Sequence, residues 1–258
     1  MKILLPSILI LSAVFLLQFP QIQCFKAAIP MDLAENSLDD QYVRCESKML
    51  KLVKEKYLPS ELQNTPNFKN VWETAKKSMV KKKRMPLNLE QATAIYAYTM
   101  DVYNTFNEKV RNGGKHYKAF PFKSLHFYLT DALKTLRSKQ SKCYDVFRGV
   151  QDPFTANEGA IVRFGQFAST SLVKRVAENF GNRTLFVIKK TCLGVPIEEY
   201  SDNQSEKEVL IPPFEKFKVL KVYGNQIHLA RIPDKKSNSN CLGVPKECSC
   251  REGLCCIS

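Results

Sequence analysis

Glu206-Lys207-Glu208 sets two carboxylates one residue apart, directly ahead of the apolar run Val209-Leu210-Ile211. In an extended strand, residues i and i+2 point to the same side. The spacing therefore predicts two acids at one cleft, where mutual repulsion separates their proton affinities and allows them different roles. A solvated Glu-Lys-Glu strand end has the same letters. Upstream, Val146-Phe147-Arg148-Gly149-Val150 places a guanidinium in an apolar strand. There it needs an anionic or carbonyl partner, and the glycine after it lets a ligand approach the backbone. A strand-edge salt bridge would satisfy Arg148 equally well. A third stretch, Gly165-Gln166-Phe167-Ala168-Ser169-Thr170-Ser171-Leu172, runs a strand into a helix start. Its hydroxyls either cap that helix or bind an anion or orient a polar ligand. His116, His126 and His228 lie in no recognisable catalytic setting, so a Ser-His-Asp hydrolase is unsupported.

The elements that must position these groups follow from periodicity. Before Cys143 the chain reads as helical. Residues 40–56 carry Val43, Met49, Leu50 and Val53 at helical spacing, and 68–83 carry Val71, Trp72, Ala75 and Met79. A third helix opens at Asn88, a capping residue, shows Ala92, Ile95, Tyr96 and Thr99, and stops by Arg111-Asn112-Gly113-Gly114. A fourth covers 124–138, with Leu125, Tyr128, Leu129, Ala132, Leu133 and Leu136 on one face. After Cys143 the texture turns β-rich: strands are predicted at 144–150, 160–171, 184–191, 208–214, 217–223 and 226–232. A short helix at 172–180 ends at Gly181, and Gly224-Asn225 closes a hairpin. Helices first and strands with short connections afterwards predict an α+β fold with a mostly antiparallel β core. Neither G-x-G-x-x-G nor a G-K-S/T loop is present, so a Rossmann or P-loop site is unsupported.

Of the 258 residues, 1–24 read as a secretory signal peptide: Lys2, an apolar stretch through Phe19, and a polar exit ending at Cys24. The apolar stretch is shorter than the roughly 20 residues of a membrane helix, and the charged C-terminus lacks the hydrophobic tail of a lipid-anchor signal. The expectation is a secreted, extracellular protein with one domain at 25–243 and a Cys-rich tail at 244–258. The net charge of +14 favours acidic surfaces such as cell-surface glycans. Nucleic acid is not expected as a partner outside the cell. Of nine cysteines, eight remain after the signal, an even number suited to disulfides. Zinc is the alternative for the crowded tail, although no histidine lies near it. Asn182-Arg183-Thr184 and Asn203-Gln204-Ser205 are glycosylation sequons, expected on exposed loops.

Arg148, the Ser-Thr-Ser beginning at Ser169 and the Glu-x-Glu ending at Glu208, in that order, resemble the R-S-E signature of mono-ADP-ribosyltransferases. The flanks Tyr144–Gly149, Phe164–Ser171, Ala177-Glu178-Asn179-Phe180-Gly181, Glu208–Glu215 and Ala97-Tyr98-Thr99 resemble the vertebrate secreted and cell-surface branch that modifies arginine. The resemblance implies a cleft between two sheets that binds NAD as co-substrate, with no prosthetic group and no metal. It implies Glu208 as the catalytic glutamate at the ribose, Arg148 on the NAD phosphates, Gly149 near the nicotinamide amide, and Ser169 fixing Glu208. Glu206 goes with arginine as acceptor, on proteins or on small guanidino compounds. Phe180, Tyr98, Gln166 and Ser201 are further implied NAD contacts. The implied disulfides are Cys45–Cys241 and Cys143–Cys192, to which the cysteines after residue 244 are additional. A glycan on Asn203, three residues before Glu206, is expected to restrict acceptor size. Two other functions fit the same scaffold: an NAD glycohydrolase, with water as acceptor, and an inactive basic binding protein.

Overall fold

The computed structural model describes residues 27–245. The predicted signal, Cys24 and the tail cysteines Cys248, Cys250, Cys255 and Cys256 lie outside them. In chain order the elements are β1 (Ile29–Pro30), α1 (Glu46–Leu52), a π-helical turn (Val53–Tyr57), α2 (Leu58–Asn64), α3 (Pro66–Val80), α4 (Leu89–Tyr98), α5 (Val102–Gly113) and α6 (Lys123–Ser138). The β-rich half holds β2 (Tyr144–Val150), β3 (Phe154–Thr155), β4 (Ile161–Val162), β5 (Ala168–Ser171), α7 (Lys174–Phe180), β6 (Thr184–Thr191), β7 (Val195–Pro196), β8 (Glu208–Ile211), β9 (Phe217–Tyr223) and β10 (Gln226–Arg231). Helices precede a mostly antiparallel sheet, as the pattern predicts; the β10–β6 pairing is parallel.

The first helix begins at Glu46 rather than near 40, because Asp39 and Asp40 have other work. Both are fully buried. Asp39 takes Arg163 Nη1 at 2.5 Å and the amides of Asn238 and Ser239 at 2.7 and 2.8 Å. Asp40 takes the amides of Tyr42, Cys241 and Leu242. Together with the Cys45–Cys241 disulfide they clasp the start of the domain to its end.

α4 starts at a capping box: Asn88 Oδ1 accepts the Gln91 amide and Gln91 Oε1 accepts the Asn88 amide, each at 2.9 Å. The predicted third helix is two, broken at residues 99–101, where Thr99 Oγ1 donates back to the Tyr96 carbonyl. At α6, Glu61 from α2 accepts the first two amides, Lys123 at 2.6 Å and Ser124 at 3.1 Å. A carboxylate at a helix N-terminus satisfies orphan donors and opposes the dipole. In the basic run, Arg84 Nη1 bonds the carbonyls of Met79, Val80 and Lys82 and closes the end of α3. His126 is structural: Tyr42 Oη lies 2.7 Å from Nδ1 and the Leu38 carbonyl 2.9 Å from Nε2. Burial lowers its pKa to about 4, so Nε2 carries the proton and donates to the carbonyl.

The large sheet has the order β4-β9-β10-β6-β2-β5-β8-β7. β2 and β6 pair along most of their length, and β5 pairs with β8 through four residue pairs. Between these halves, β2 meets β5 through Phe147 and Ser171 alone. The two-sheet core is thus a single ladder that splays at that contact. The helices and one flank of the sheet share a core that includes Phe106, Leu125, Leu129, Phe167 and Leu210. A second core inside the sheet contains Val146, Phe186, Ile188, Val209, Phe217 and Leu229. The predicted strand 160–171 is two strands, because Gly165 turns the chain with φ of +63°.

Candidate active site

The splay between β2 and β5 opens a cleft of about 510 Å³ lined by Tyr98, Gln166, Arg148, Gly149, Ser169, Phe180, Glu206 and Glu208. That volume lies in the range of small-molecule sites. Arg148 comes from β2, Ser169 from β5 and Glu208 from the first position of β8, so three neighbouring strands each present one group. Arg148 Nη1 donates to the Ser169 carbonyl at 2.7 Å, which ties the guanidinium to the neighbouring strand rather than to a salt-bridge partner.

Glu208 is 3 % exposed, and its Oε1 is buried with no hydrogen-bond partner among the described residues. Burial raises its pKa to about 7; Ser169 and Arg148 oppose the rise and Glu206 adds to it. A buried acid left half-satisfied is costly to the fold, and such groups concentrate at functional sites. Tyr98 reaches the same place from the end of α4. Its hydroxyl lies 3.1 Å from both the Ser169 hydroxyl and the Phe167 carbonyl and accepts from Asn107 Nδ2. The helix break at 99–101 allows this, since Asn107 on α5 then folds back against Tyr98.

Glu206 does not share a strand with Glu208. It ends a 3₁₀ turn, Gln204–Glu206, and Lys207 follows in the left-handed region at φ 48°, ψ 46°. The i, i+2 argument therefore fails as stated, although both carboxylates line the cleft. A left-handed lysine costs on the order of 1 kcal/mol. It is held there by Ser171 Oγ on the Glu206 carbonyl at 2.7 Å and by the Leu172 amide on the Lys207 carbonyl at 3.2 Å. Ser171 Oγ also accepts the Val173 amide just before α7, so the Ser-Thr-Ser stretch divides its work between helix entry and cleft.

Gly149 is glycine for a packing reason. A Cβ there would collide with the carbonyls of Ala177 and Gly181, so the residue lets α7 lie directly on β2. α7 in turn carries Phe180, half-exposed at the cleft rim. Ser201 is the exception among the residues implied by resemblance. It is fully buried, does not line the cleft, and exchanges hydrogen bonds of 3.3 Å with the backbone of Asn203.

Tyr103, Asn104, Asn107 and Arg111, none of them a site residue predicted from sequence, also line the cleft, as does Thr99 of the Ala97-Tyr98-Thr99 stretch. In sequence Arg111 stands in the helix stop Arg111-Asn112-Gly113-Gly114. Its spacing of four from Asn107 on one helical face was the available signal, and it contacts Gln166 Oε1. The second implied disulfide joins Cys143 to Cys192, so the end of the β2–β6 pair where Tyr144 faces Thr191 is fixed, on the strand that bears Arg148. Glu215 supports this corner by accepting Thr191 Oγ1 and the amides of Cys192 and Leu193. Among the described residues no cluster of three metal-ligating side chains occurs, and no helix is long and apolar enough to cross a membrane.

The model of the family described as NAD:arginine ADP-ribosyltransferase matches residues 31–237, most of the chain. This chain belongs to that family. Within the family, it is similar to the erythroblast NAD(P)(+)–arginine ADP-ribosyltransferase of Gallus gallus, with 41% identity over 250 residues covering 89% of this chain and 81% of that one. The crystal structure of the eucaryotic mono-ADP-ribosyltransferase ART2.2 is similar at a TM-score of 0.77 and 38% identity, covering 83% of this chain and 99% of that one. A mutant of ART2.2 in complex with NAD matches at a TM-score of 0.74, with the same identity and coverage.

Proposed function

We propose that this chain transfers ADP-ribose from NAD to arginine side chains of proteins and to small guanidino acceptors, releasing nicotinamide. One observation carries the reading: Arg148, Ser169, Glu206 and Glu208 converge on a single cleft, with a buried Glu208 whose Oε1 has no hydrogen-bond partner among the described residues. Family membership and relatives named for NAD and arginine support it.

In this reading Arg148 grips the NAD diphosphate through charge-assisted hydrogen bonds. Glu208 accepts from a ribose hydroxyl. As the bond between ribose C1′ and the nicotinamide nitrogen breaks, the electron pair leaves with nicotinamide and positive charge grows on the ribose, where the Glu208 carboxylate opposes it. Ser169 and Tyr98 orient that carboxylate. Gly149 and Phe180 border the nicotinamide position, and Gln166 lines the same cleft as a further NAD contact. A guanidinium nitrogen then bonds to C1′ and loses a proton. Glu206 orients the acceptor and takes part in removing that proton, since guanidinium does not deprotonate unaided near neutral pH. Ser201 acts indirectly, by fixing the loop that carries Glu206.

The disulfides and predicted signal fit an oxidising, extracellular compartment, and we read the chain as released, with a catalytic domain at 25–243 and a tail at 244–258. Its basic charge suits acidic cell-surface glycans as a further partner. Incubation of purified protein with adenylate-labelled NAD and agmatine tests the function. ADP-ribosyl-agmatine is expected. Free ADP-ribose alone would indicate a glycohydrolase, and unchanged NAD an inactive binding scaffold.

A further inference from the structure

Asn203 combines two chemistries in one amide. Its Oδ1 accepts the Ser205 amide at 3.2 Å and the Ser205 hydroxyl at 2.7 Å, and its Nδ2 donates to Glu206 Oε1 at 3.0 Å. The orientation is fixed by chemistry: a backbone amide only donates, so the oxygen must face Ser205 and the nitrogen Glu206. From below, the buried Ser201 hydroxyl accepts the Asn203 amide. The hydrogen bond to Glu206 favours its ionised form, against burial and Asp202, which raise its pKa. A carboxylate held by one oxygen keeps the other for an acceptor guanidinium.

The same Asn203 is the first residue of the Asn203-Gln204-Ser205 sequon, and all three residues are exposed. An asparagine amide has two N–H bonds. N-glycosylation forms a bond from Nδ2 to the anomeric carbon of a sugar, displaces the diphosphate of a lipid-linked oligosaccharide donor and releases one proton. The second N–H remains for Glu206.

We propose that Asn203 is the acceptor-selecting residue of this site: its amide aims Glu206, and a glycan on that same nitrogen screens acceptors by size. The inference rests on arginine-type transfer as the function. A small guanidine slips beneath the glycan to Glu206, whereas an arginine on a broad folded surface meets the glycan first. Asn203 is a positioning residue, acting through Glu206 on the acceptor half of the reaction.

The test uses the full chain from a secretory eukaryotic host, with wild type, Ser205→Ala and Asn203→Ala compared on agmatine and on core histones. Ser205→Ala removes the sequon and the Ser205 hydroxyl bond to Oδ1, but leaves the Asn203 Nδ2 bond to Glu206 and the backbone amide on Oδ1. It is expected to lose a glycan by intact mass, to modify histones faster than wild type, and to raise the ratio of histone to agmatine transfer. Asn203→Ala removes both devices. Its ratio of agmatine transfer to NAD hydrolysis should fall about tenfold, the loss of one hydrogen bond to a charged group, a split that a merely structural defect would not produce. A wild-type ratio in Asn203→Ala overturns the positioning role. Absence of a glycan on Asn203, or equal effects of Ser205→Ala on both acceptors, overturns the size screen. If wild type transfers nothing to agmatine, the function itself is wrong and the inference falls with it.

Discussion

Replacing Glu208 by glutamine should weaken the enzyme and stabilise the protein, with a pH dependence that identifies the cause. Burial raises the Glu208 pKa from its ordinary 4.5 to about 7. Across that interval the folded protein keeps a proton that the unfolded chain has released, so wild-type stability falls as pH rises from about 4.5 to 7. A shift of that size corresponds to roughly 3 kcal/mol, fully expressed above neutral pH. Glutamine is neutral at every pH and escapes the penalty. The stability of Glu208→Gln minus that of wild type should therefore grow by roughly 3 kcal/mol between pH 4.5 and 7 and stay level above. Arg148 and Ser169 limit the shift and Glu206 enlarges it, so NAD must be absent during the measurement. The assay is urea unfolding at several pH values with both disulfides oxidised. In parallel, ADP-ribosyl transfer should drop on the order of 10²- to 10³-fold, and wild-type kcat/KM for NAD should rise with pH through about 7 as Glu208 ionises. A stability difference that does not change with pH would show that Glu208 is not the group whose burial sets the pH dependence.

Gly149→Ala drives a methyl into the Ala177 and Gly181 carbonyls. It should cost about 1–3 kcal/mol by overpacking and, by displacing α7 and Phe180, raise KM for NAD in steady-state kinetics. Removing the Cys143–Cys192 disulfide by paired alanines frees a loop of sequence separation 49, which should cost about 4 kcal/mol of unfolding free energy in denaturant melts. Asp39→Asn leaves the buried Arg163 guanidinium without its charge partner; a loss of about 3–5 kcal/mol is expected by the same assay.

The parts of this molecule written in local pattern were legible in its sequence. Asn88 with Gln91 marks a helix start by side-chain chemistry alone, and the apolar stripe of α6 and the strands Tyr144–Val150 and Thr184–Thr191 follow from periodicity. What escaped the sequence depends on partners far along the chain. Asp39 and Asp40 look like the first turn of a helix until Arg163 and the amides near Cys241 claim them. Glu61 reads as a surface acid, yet it caps α6 from another helix. The site shows the same division. Arg148, Ser169, Glu206 and Glu208 stood out by type and order, while Asn107 and Arg111 did not, because the break at Thr99 that folds α5 toward the cleft has no glycine or proline to announce it. The left-handed Lys207 was equally hidden, since lysine rarely adopts that conformation.

The division of labour proposed for the cleft gives NAD to Glu208 and the acceptor to Glu206. The most direct measurement is the product ratio of ADP-ribosyl-agmatine to free ADP-ribose from wild type and Glu206→Gln, under identical NAD and agmatine concentrations. The variant should shift from transfer toward hydrolysis, with NAD still cleaved. An unchanged ratio, or loss of both products together, would contradict that division.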